Sequence, residues 1–539
     1  MPTRSAMSDP LQVAVAVHAD RPIRAYKPIW NWFGYDEPNY SYTANGRKLL
    51  GELAALSPAP VRVRAHNLLT SGDGTPALKW GSTNAYAEDA RGRPVHDWTI
   101  MDRIFDVWVE AGTMPFVQVG FTPRPLSDHV GPYQHDFTAA DQTSKITTGW
   151  AAPPNDLGKW RDLIEAWALH LAGRYGRARV EGWPWEVWNE PDGRYWTGTI
   201  PEFCALYDVT ARAIKRVLPA ARVGGPHTCG AFERESAARF LRGFLDHVVR
   251  TGSPLDFVAY HAKGAPEVVD GHVRMGLQRH LRNIETNLAI QAEYPTLRSL
   301  PAILGESDPE GCAACSARFV PRNAYRNGPL YGVYVVESII RTYELAWRSG
   351  IEIEGAVTWA FLFEGQPYFE GFRDLATNGI DKAVLNAFRM LGMLGGEWVK
   401  CESTHALALD DVLRAGVQGA PDVNAVATRD ARGVSVLLWH YHDDDVAGVD
   451  AAITLALDGW SGPQATVRHH RMDADHSNAY AVWRAMGSPA ELDGADYARL
   501  ERAGQLAAIE TPGELRVEHG TARLSFILPR QGVSLIRFE

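Results

Sequence analysis

From about residue 26 to residue 395, short β-type runs alternate with amphipathic stretches, and this alternation limits the fold more than any other feature. A chain that repeats strand then helix builds a parallel sheet, because parallel neighbours need a long crossover that a helix supplies. Eight runs can be counted: WNWFGYDE (30–37), PVRVRAHN (60–67), PFVQVGF (115–121), WPWEVWNEP (183–191), RVGGPHT (222–228), FVAYHA (257–262), AILGES (302–307) and GAVTWAFLFE (355–364). Between them, Trp160, Leu163, Ile164, Trp167 and Leu171 share one helical face. Asp97 stands as the cap of a helix over WTIMDRIFDVWVEAG, which Gly112 ends. Eight such units predict an α/β fold, a (β/α)8 barrel over residues 26–398.

After residue 400 the character changes. VNAVATRD, GVSVLLWHYH, AAITLALDGW, ATVRHHRM, ARLSFILP and VSLIRFE are β-type runs with helical periodicity only near ADYARLERAGQ, which predicts an accessory β-sandwich over 399–539. The alternating run LQVAVAV (11–17), within an N-terminal segment of residues 1–25, is expected to add a strand to that sandwich. His440 and His442 on one of its strands are expected to face solvent.

Lys plus Arg is 54 and Asp plus Glu is 64, a formal charge of −10, and no basic stripe runs along the chain, so nucleic acid is excluded as a partner. No stretch approaches 18 uninterrupted apolar residues, so no membrane span is expected. The N-terminus lacks the charged start, apolar core and cleavage site of a secretory signal, and a soluble cytoplasmic protein is expected. The five cysteines are odd in number and sparse, which predicts reduced thiols. Cys312 and Cys315 form a CxxC without the second pair that a structural zinc needs.

Active sites of such barrels lie where the strands end. The residues at those ends are unusually polar: Arg64, His66, Asn189, Glu190, His227, His261, Glu306, Trp359 and Glu364. In EGWPWEVWNEPDGRYW (181–196), five aromatics surround Glu190. Aromatic faces stack on the C–H faces of sugar rings, and a carboxyl beside apolar surface has its pKa raised, as a general acid requires. Glu306 ends the seventh run, across the barrel mouth from Glu190, and glycoside hydrolysis needs such a pair of carboxylates. Each residue also has a plainer reading: a helix-capping or Arg-paired Glu306, a capping Glu190, and structural histidines. A binding module without chemistry would keep the aromatics but would not need two facing carboxylates. No HExxH accompanies the histidines, and no metal or cofactor is implied.

Taken together, WNEPD (188–192), the Arg64–His66 pair of VRVRAHN, GGPHT (224–228), GESDP (305–309) and TWAFLFEG (358–365) ahead of GI-K (379–382) resemble family thirty-nine of the glycoside hydrolases, in the clan A group of retaining barrel enzymes. The resemblance implies a retaining exo-glycosidase with Glu190 as acid/base, Glu306 as nucleophile and Asn189 at the sugar 2-hydroxyl. It implies that His66, His261, Trp359 and Glu364 surround the terminal sugar and that Phe121 and Trp196 wall the pocket. The family's main activities are β-D-xylosidase and α-L-iduronidase, and the expectation is a β-xylosidase acting on xylo-oligosaccharides, with uronide hydrolysis as the alternative. HAKGA (261–265) departs from the bacterial xylosidase pattern by placing Lys263 beside His261. Lys263 either points into the pocket, offsetting Glu364 and admitting a uronide, or pairs with Glu364 or solvent, favouring a neutral pentose.

Overall fold

A computed structural model describes residues 9–134, 137 and 148–539. Regular structure begins with β1 (Leu11–Ala25), which lies outside the barrel. Eight parallel strands then close on themselves in chain order: β2 (Trp32–Tyr35), β3 (Arg62–Ala65), β4 (Met114–Val119), β5 (Pro184–Val187), β6 (Arg222–Thr228), β7 (Phe257–Lys263), β8 (Ala302–Asp308) and β9 (Ile353–Thr358). They are followed in turn by α1 (Ala44–Ala54), α2 (Thr99–Glu110), α3 (Leu157–Tyr175), α4 (Ile200–Val217), α5 (Glu235–Thr251), α6 (Leu277–Ala292), α7 (Pro329–Ser349) and α8 (Ala383–Leu391). All eight expected strands are present. The fold is a (β/α)8 barrel.

The helices form for the reasons their sequences give. In α3 the buried residues include Trp160, Leu163, Ile164, Trp167 and Leu171, and the Asp156 side chain accepts from the backbone of Gly158 and Lys159 at its start. α4 opens with a capping box between Thr199 and Glu202. For α2 the expected cap is one residue early. Trp98 holds the cap position, and Asp97 accepts from Thr99 N (2.9 Å) as a turn.

Two details of the sheet shape the barrel mouth. Gly34 in β2 leaves room for the Trp359 ring, which a Cβ there would meet at 2.3 Å. The ladder also slips between Pro226 and Thr228 in β6, and between Leu304 and Glu306 in β8. Such slips re-aim side chains near functional sites.

The second unit comprises β1, β10 (Glu397–Ser403), β11 (Asp422–Asp430), β12 (Gly433–Tyr441), β13 (Ala451–Asp458), β14 (Gln464–Met472), β15 (Ala507–Ile509), β16 (Glu514–Glu518), β17 (Thr521–Leu528) and β18 (Val533–Phe538). β14 pairs with both β16 and β18, so nine of these strands form a closed, sandwich-like ring around Val13, Val15, Val436, Leu438, Leu455 and Ile536, with β15 added at the edge of β14. β1 lies within the ring, parallel to β13 and antiparallel to β10.

β12 is covered on both faces, because Leu437, Trp439 and Tyr441 turn outward into the barrel's core. Trp439 Nε1 donates to Glu337 of α7, whose other oxygen accepts from Arg341 (2.7 Å), and Arg341 also reaches Asp422 (2.5 Å). His440 and His442 are therefore buried, against the expectation that they face solvent, with ring nitrogens on the carbonyls of Leu528 and Gly419. A strand sandwiched between two cores has no wet face.

The cysteine expectation also fails at one place. Cys312 and Cys315 are joined by a disulfide in the loop after β8, where a tight turn brings their Cα atoms to 5.5 Å, while Cys204, Cys229 and Cys401 are free. Cysteine count therefore gives no argument about compartment.

Removing residues 1–25 should unfold the ring rather than trim it. Val13, Val15 and Val17 are at most 2% exposed, and burying each contributes about 1.5–3 kcal/mol. Their loss also opens two strand edges. Scanning calorimetry should show the melting temperature falling by roughly 10 °C or more, and an unchanged melt would contradict this placement of β1.

Candidate active site

The residues expected at the strand ends do converge at one end of the barrel. At its base lies Arg64 of β3, fully buried. Its Nε donates to Glu186 (2.6 Å), Nη2 to the Asn189 side-chain oxygen (2.9 Å), and Nη1 to the Gly305 carbonyl (3.2 Å) and to Glu306 (3.4 Å). A buried guanidinium must have its donors satisfied, so this one side chain ties β3, β5 and β8 together.

Glu190 follows β5 and Glu306 lies within β8, and His261 of β7 stands between them. His261 Nδ1 is 3.0 Å from a Glu190 oxygen and 3.8 Å from a Glu306 oxygen. One oxygen of each carboxylate and a nitrogen of His261 all lie within 4.8 Å of one another. Among the described residues this is the group compact enough to hold a metal ion. It already has cations beside it, since Lys263 Nζ sits 2.6 Å from Glu306 and Arg64 donates to the same carboxylate.

Lys263 neither pairs with Glu364 nor faces solvent. It bridges Glu306 and Asp308 at the end of β8. Glu364 turns to the start of α1, accepting from Thr43 and from Asn45 (3.0 Å). Asp308 is held in turn by Trp359 N (2.9 Å), with Arg373 3.5 Å away.

His66 Nδ1 lies 2.8 Å from Asp36 and its Nε2 is 3.7 Å from Glu306. Lys79 caps the other oxygen of Asp36. The His66 ring tilts over Trp359 at 4.2 Å. Phe121 and Tyr195 stack at 5.7 Å, with Trp150 against both, completing an aromatic wall. Trp196 is not part of this wall, because it packs edge-on behind Trp188 and donates to Thr199 O (3.1 Å). The buried atoms Asn189 Nδ2, His66 Nε2 and His261 Nε2 lack hydrogen-bond partners within the protein. Unpartnered buried polar atoms at a barrel mouth are suited to a hydroxylated ligand.

Burial pushes the Glu306 pKa up, but Lys263, His261, His66 and Arg64 overcome it and hold the group well below the usual carboxylate range. For Glu190, burial again pushes up, and the hydrogen bond and charge of His261 bring the net shift down, while Glu306 opposes. The expectation that apolar surroundings and the charge on Glu306 raise Glu190 is therefore corrected: the net shift is downward, because its nearest polar neighbour is the His261 imidazole. Of the two, Glu306 is the one with the larger set of cationic neighbours. Burial lowers the His66 pKa, against Asp36.

Asp36, Lys79, Glu186, Asp308, Trp150 and Tyr195 belong to the site but were not among the expected site residues. Asp36 ends the first β run and was open to the same strand-end rule. Lys79 and Trp150 come from loops, where no periodicity points inward.

An eight-stranded barrel with two facing carboxylates and an aromatic wall at its mouth defines a glycosidase-type site. The chain matches the model of glycosyl hydrolases family 39 over residues 15–518, and it belongs to that family. It is similar to a β-xylosidase of Geobacillus stearothermophilus, 26% identical over 84% of this chain and 82% of that one. It is also similar to an α-L-iduronidase of Canis lupus familiaris, 23% identical over 92% and 74%. The crystal structure of a monomeric β-xylosidase from Caulobacter crescentus shares the fold, with TM-score 0.76 and 24% identity over 98% and 99% of the two chains.

Lys263→Met removes the strongest pull on Glu306. The pKa of Glu306 should rise, so the acidic limb of the kcat/KM profile should move to higher pH and activity at low pH should fall. An acidic limb unchanged in a folded variant would show that Lys263 does not set the charge of Glu306.

Proposed function

We propose that this chain is a retaining exo-β-D-xylosidase that releases terminal xylose from xylo-oligosaccharides by double displacement. The observation that carries the reading is the approach of Glu190 and Glu306, with one oxygen of each within 4.8 Å and His261 between them. Retaining enzymes hold their carboxyls about 5–5.5 Å apart, whereas inverting ones leave roughly 6.5–9.5 Å for water. Glu306, the cation-flanked group, attacks C1 as the glycosidic bond breaks. Glu190 delivers a proton to the leaving oxygen, then takes one from the water that frees the sugar. Asn189, fixed through its oxygen by Arg64, has its amide free to donate to the 2-hydroxyl. The two carboxylates suffice for this chemistry without a cofactor.

The choice of a pentose rests on charge. A uronate needs a cation to spare, and Lys263 is already shared by Glu306 and Asp308. The similarity to a protein named β-xylosidase over most of both chains supports the same choice. A uronide reading draws on one observation, the presence of an ammonium group 2.6 Å from Glu306.

A panel of aryl glycosides decides between them. The β-D-xyloside should give the highest kcat/KM, and a preference for the α-L-iduronide that is lost in Lys263→Ala would reverse the assignment. Glu306→Ala should abolish turnover, with azide restoring part of it by attack from the vacated face. Near-normal turnover in a folded Glu306→Ala protein would remove Glu306 from the mechanism.

A further inference from the structure

The proposed chemistry accounts for Glu306 and its cations but leaves one charged group beside Glu190 unused. Two short loops meet there, the turn 190–195 that follows β5 and the segment 229–234 between β6 and α5. Glu190 opens the turn with φ +42°, and its carbonyl accepts from Gly193 N (3.0 Å). Asp192 reaches across to the other loop, where one of its oxygens accepts from Cys229 N at 2.9 Å and the other stands 3.5 Å from Arg234 Nε. The segment is pinned on its far side, where Asn283 of α6 accepts from Phe232 N (3.0 Å) and fills the space over Gly230. Between the loops the Cys229 thiol lies next to both Glu190 and Arg234. Carboxyl, thiol and guanidinium thus form a line that starts at the reacting centre and ends in a side chain 44% exposed.

Arg234 is only partly used by the protein. Asp192 faces its Nε, at a separation too long for a strong hydrogen bond. Its two terminal nitrogens have no carbonyl or carboxylate acceptor among the described residues, and one of them lies 3.4 Å from the point that a Cβ on Gly193 would occupy. The fork therefore lies over the turn that presents Glu190. Lys263 differs, because Glu306 and Asp308 both hold its single nitrogen.

We propose that Arg234 is a specificity-determining residue on the leaving-group side of the site, where it selects an aglycone that carries a carboxylate. The inference rests on the reading of Glu190 as the acid that meets the leaving oxygen. A group beside Glu190 and remote from the cations of Glu306 then faces the departing half of the substrate. With Nε turned to Asp192, a guanidinium still offers four N–H groups on its terminal nitrogens, in the fork that matches a carboxylate. The neighbouring anions make that fork necessary. Asp192 is buried, and Glu233 is answered by Arg279 at 3.6 Å, so without Arg234 an arriving carboxylate would meet the charge of Asp192 alone.

The test uses two aryl β-D-xylosides whose leaving groups differ in charge, 4-carboxyphenyl and 4-carbamoylphenyl, and reads the ratio of their kcat/KM values. Comparing that ratio between proteins cancels the difference in phenol acidity. Arg234→Gln should lower it about tenfold, the order of one charge-assisted hydrogen bond at a partly solvated site, and Arg234→Lys, which keeps the charge, should lose less. In the wild type the ratio should fall as salt is raised from about 0.05 M to about 0.5 M, and this response should be lost in Arg234→Gln. A ratio equal in wild type and Arg234→Gln, including one left equal by matched losses on both substrates, would overturn the proposal. So would a larger drop in Arg194→Gln, which removes the exposed cation of the same turn. If Arg234→Gln does not fold, the salt response of the wild type decides, and a ratio flat in salt counts against Arg234. If the wild type cleaves neither xyloside, the pentose reading fails, and the same two aglycones on the glycoside that the panel selects decide for Arg234; a panel without any substrate overturns both.

Discussion

Arg64 is the interaction on which the site depends. A guanidinium with no exposure to water must be matched donor by donor, and here the matching groups are Glu186, Asn189, Gly305 and Glu306, drawn from two other strands or their ends. One charge therefore fixes the register of Glu306, the Asn189 amide and the buried Glu186 together. Taking it away would leave Glu186 as an uncompensated buried anion, a change that costs about 3–5 kcal/mol in comparable cases. The surrounding cations make Glu306 a ready anion, while Glu190 answers mainly to His261.

The barrel was legible because its evidence is periodic. Each β run is a mostly buried strand with a cluster of polar residues toward its end, and the helical face of Trp160, Leu163, Ile164, Trp167 and Leu171 repeats at the α spacing. The strand-end rule brought Arg64, His66, Glu190, His261 and Glu306 to one place without any structure. It could not reach Lys79 or Trp150, which arrive on loops. Nor could it give the direction of Lys263, because a side chain at a strand end can turn along the next strand, as this one does toward Asp308. Trp196 shows a related limit: in a cluster of aromatics, sequence does not separate the ring that faces the pocket from the one that packs behind it.

The errors in the second unit have one cause. Alternation in GVSVLLWHYH reads as one buried and one wet face, yet β12 lies between the ring's interior and α7, so its polar side chains are buried too. The Glu337–Arg341–Asp422 network is the polar counterpart of that burial, and it joins the helix before the last barrel strand to the ring. Sequence periodicity reports how many faces a strand has, and tertiary packing decides which of them meet water. The Cys312–Cys315 bridge escaped for a different reason, since counting cysteines says nothing about a turn that brings two of them together.

The account stands or falls on double displacement at the Glu190–Glu306 pair. The most direct measurement is proton NMR of the sugar released from an aryl β-D-xyloside, recorded before mutarotation. The β-anomer should appear first and convert slowly to the equilibrium mixture. Initial appearance of the α-anomer would mean a single inversion at C1, and would contradict both the covalent intermediate and the role given to Glu306.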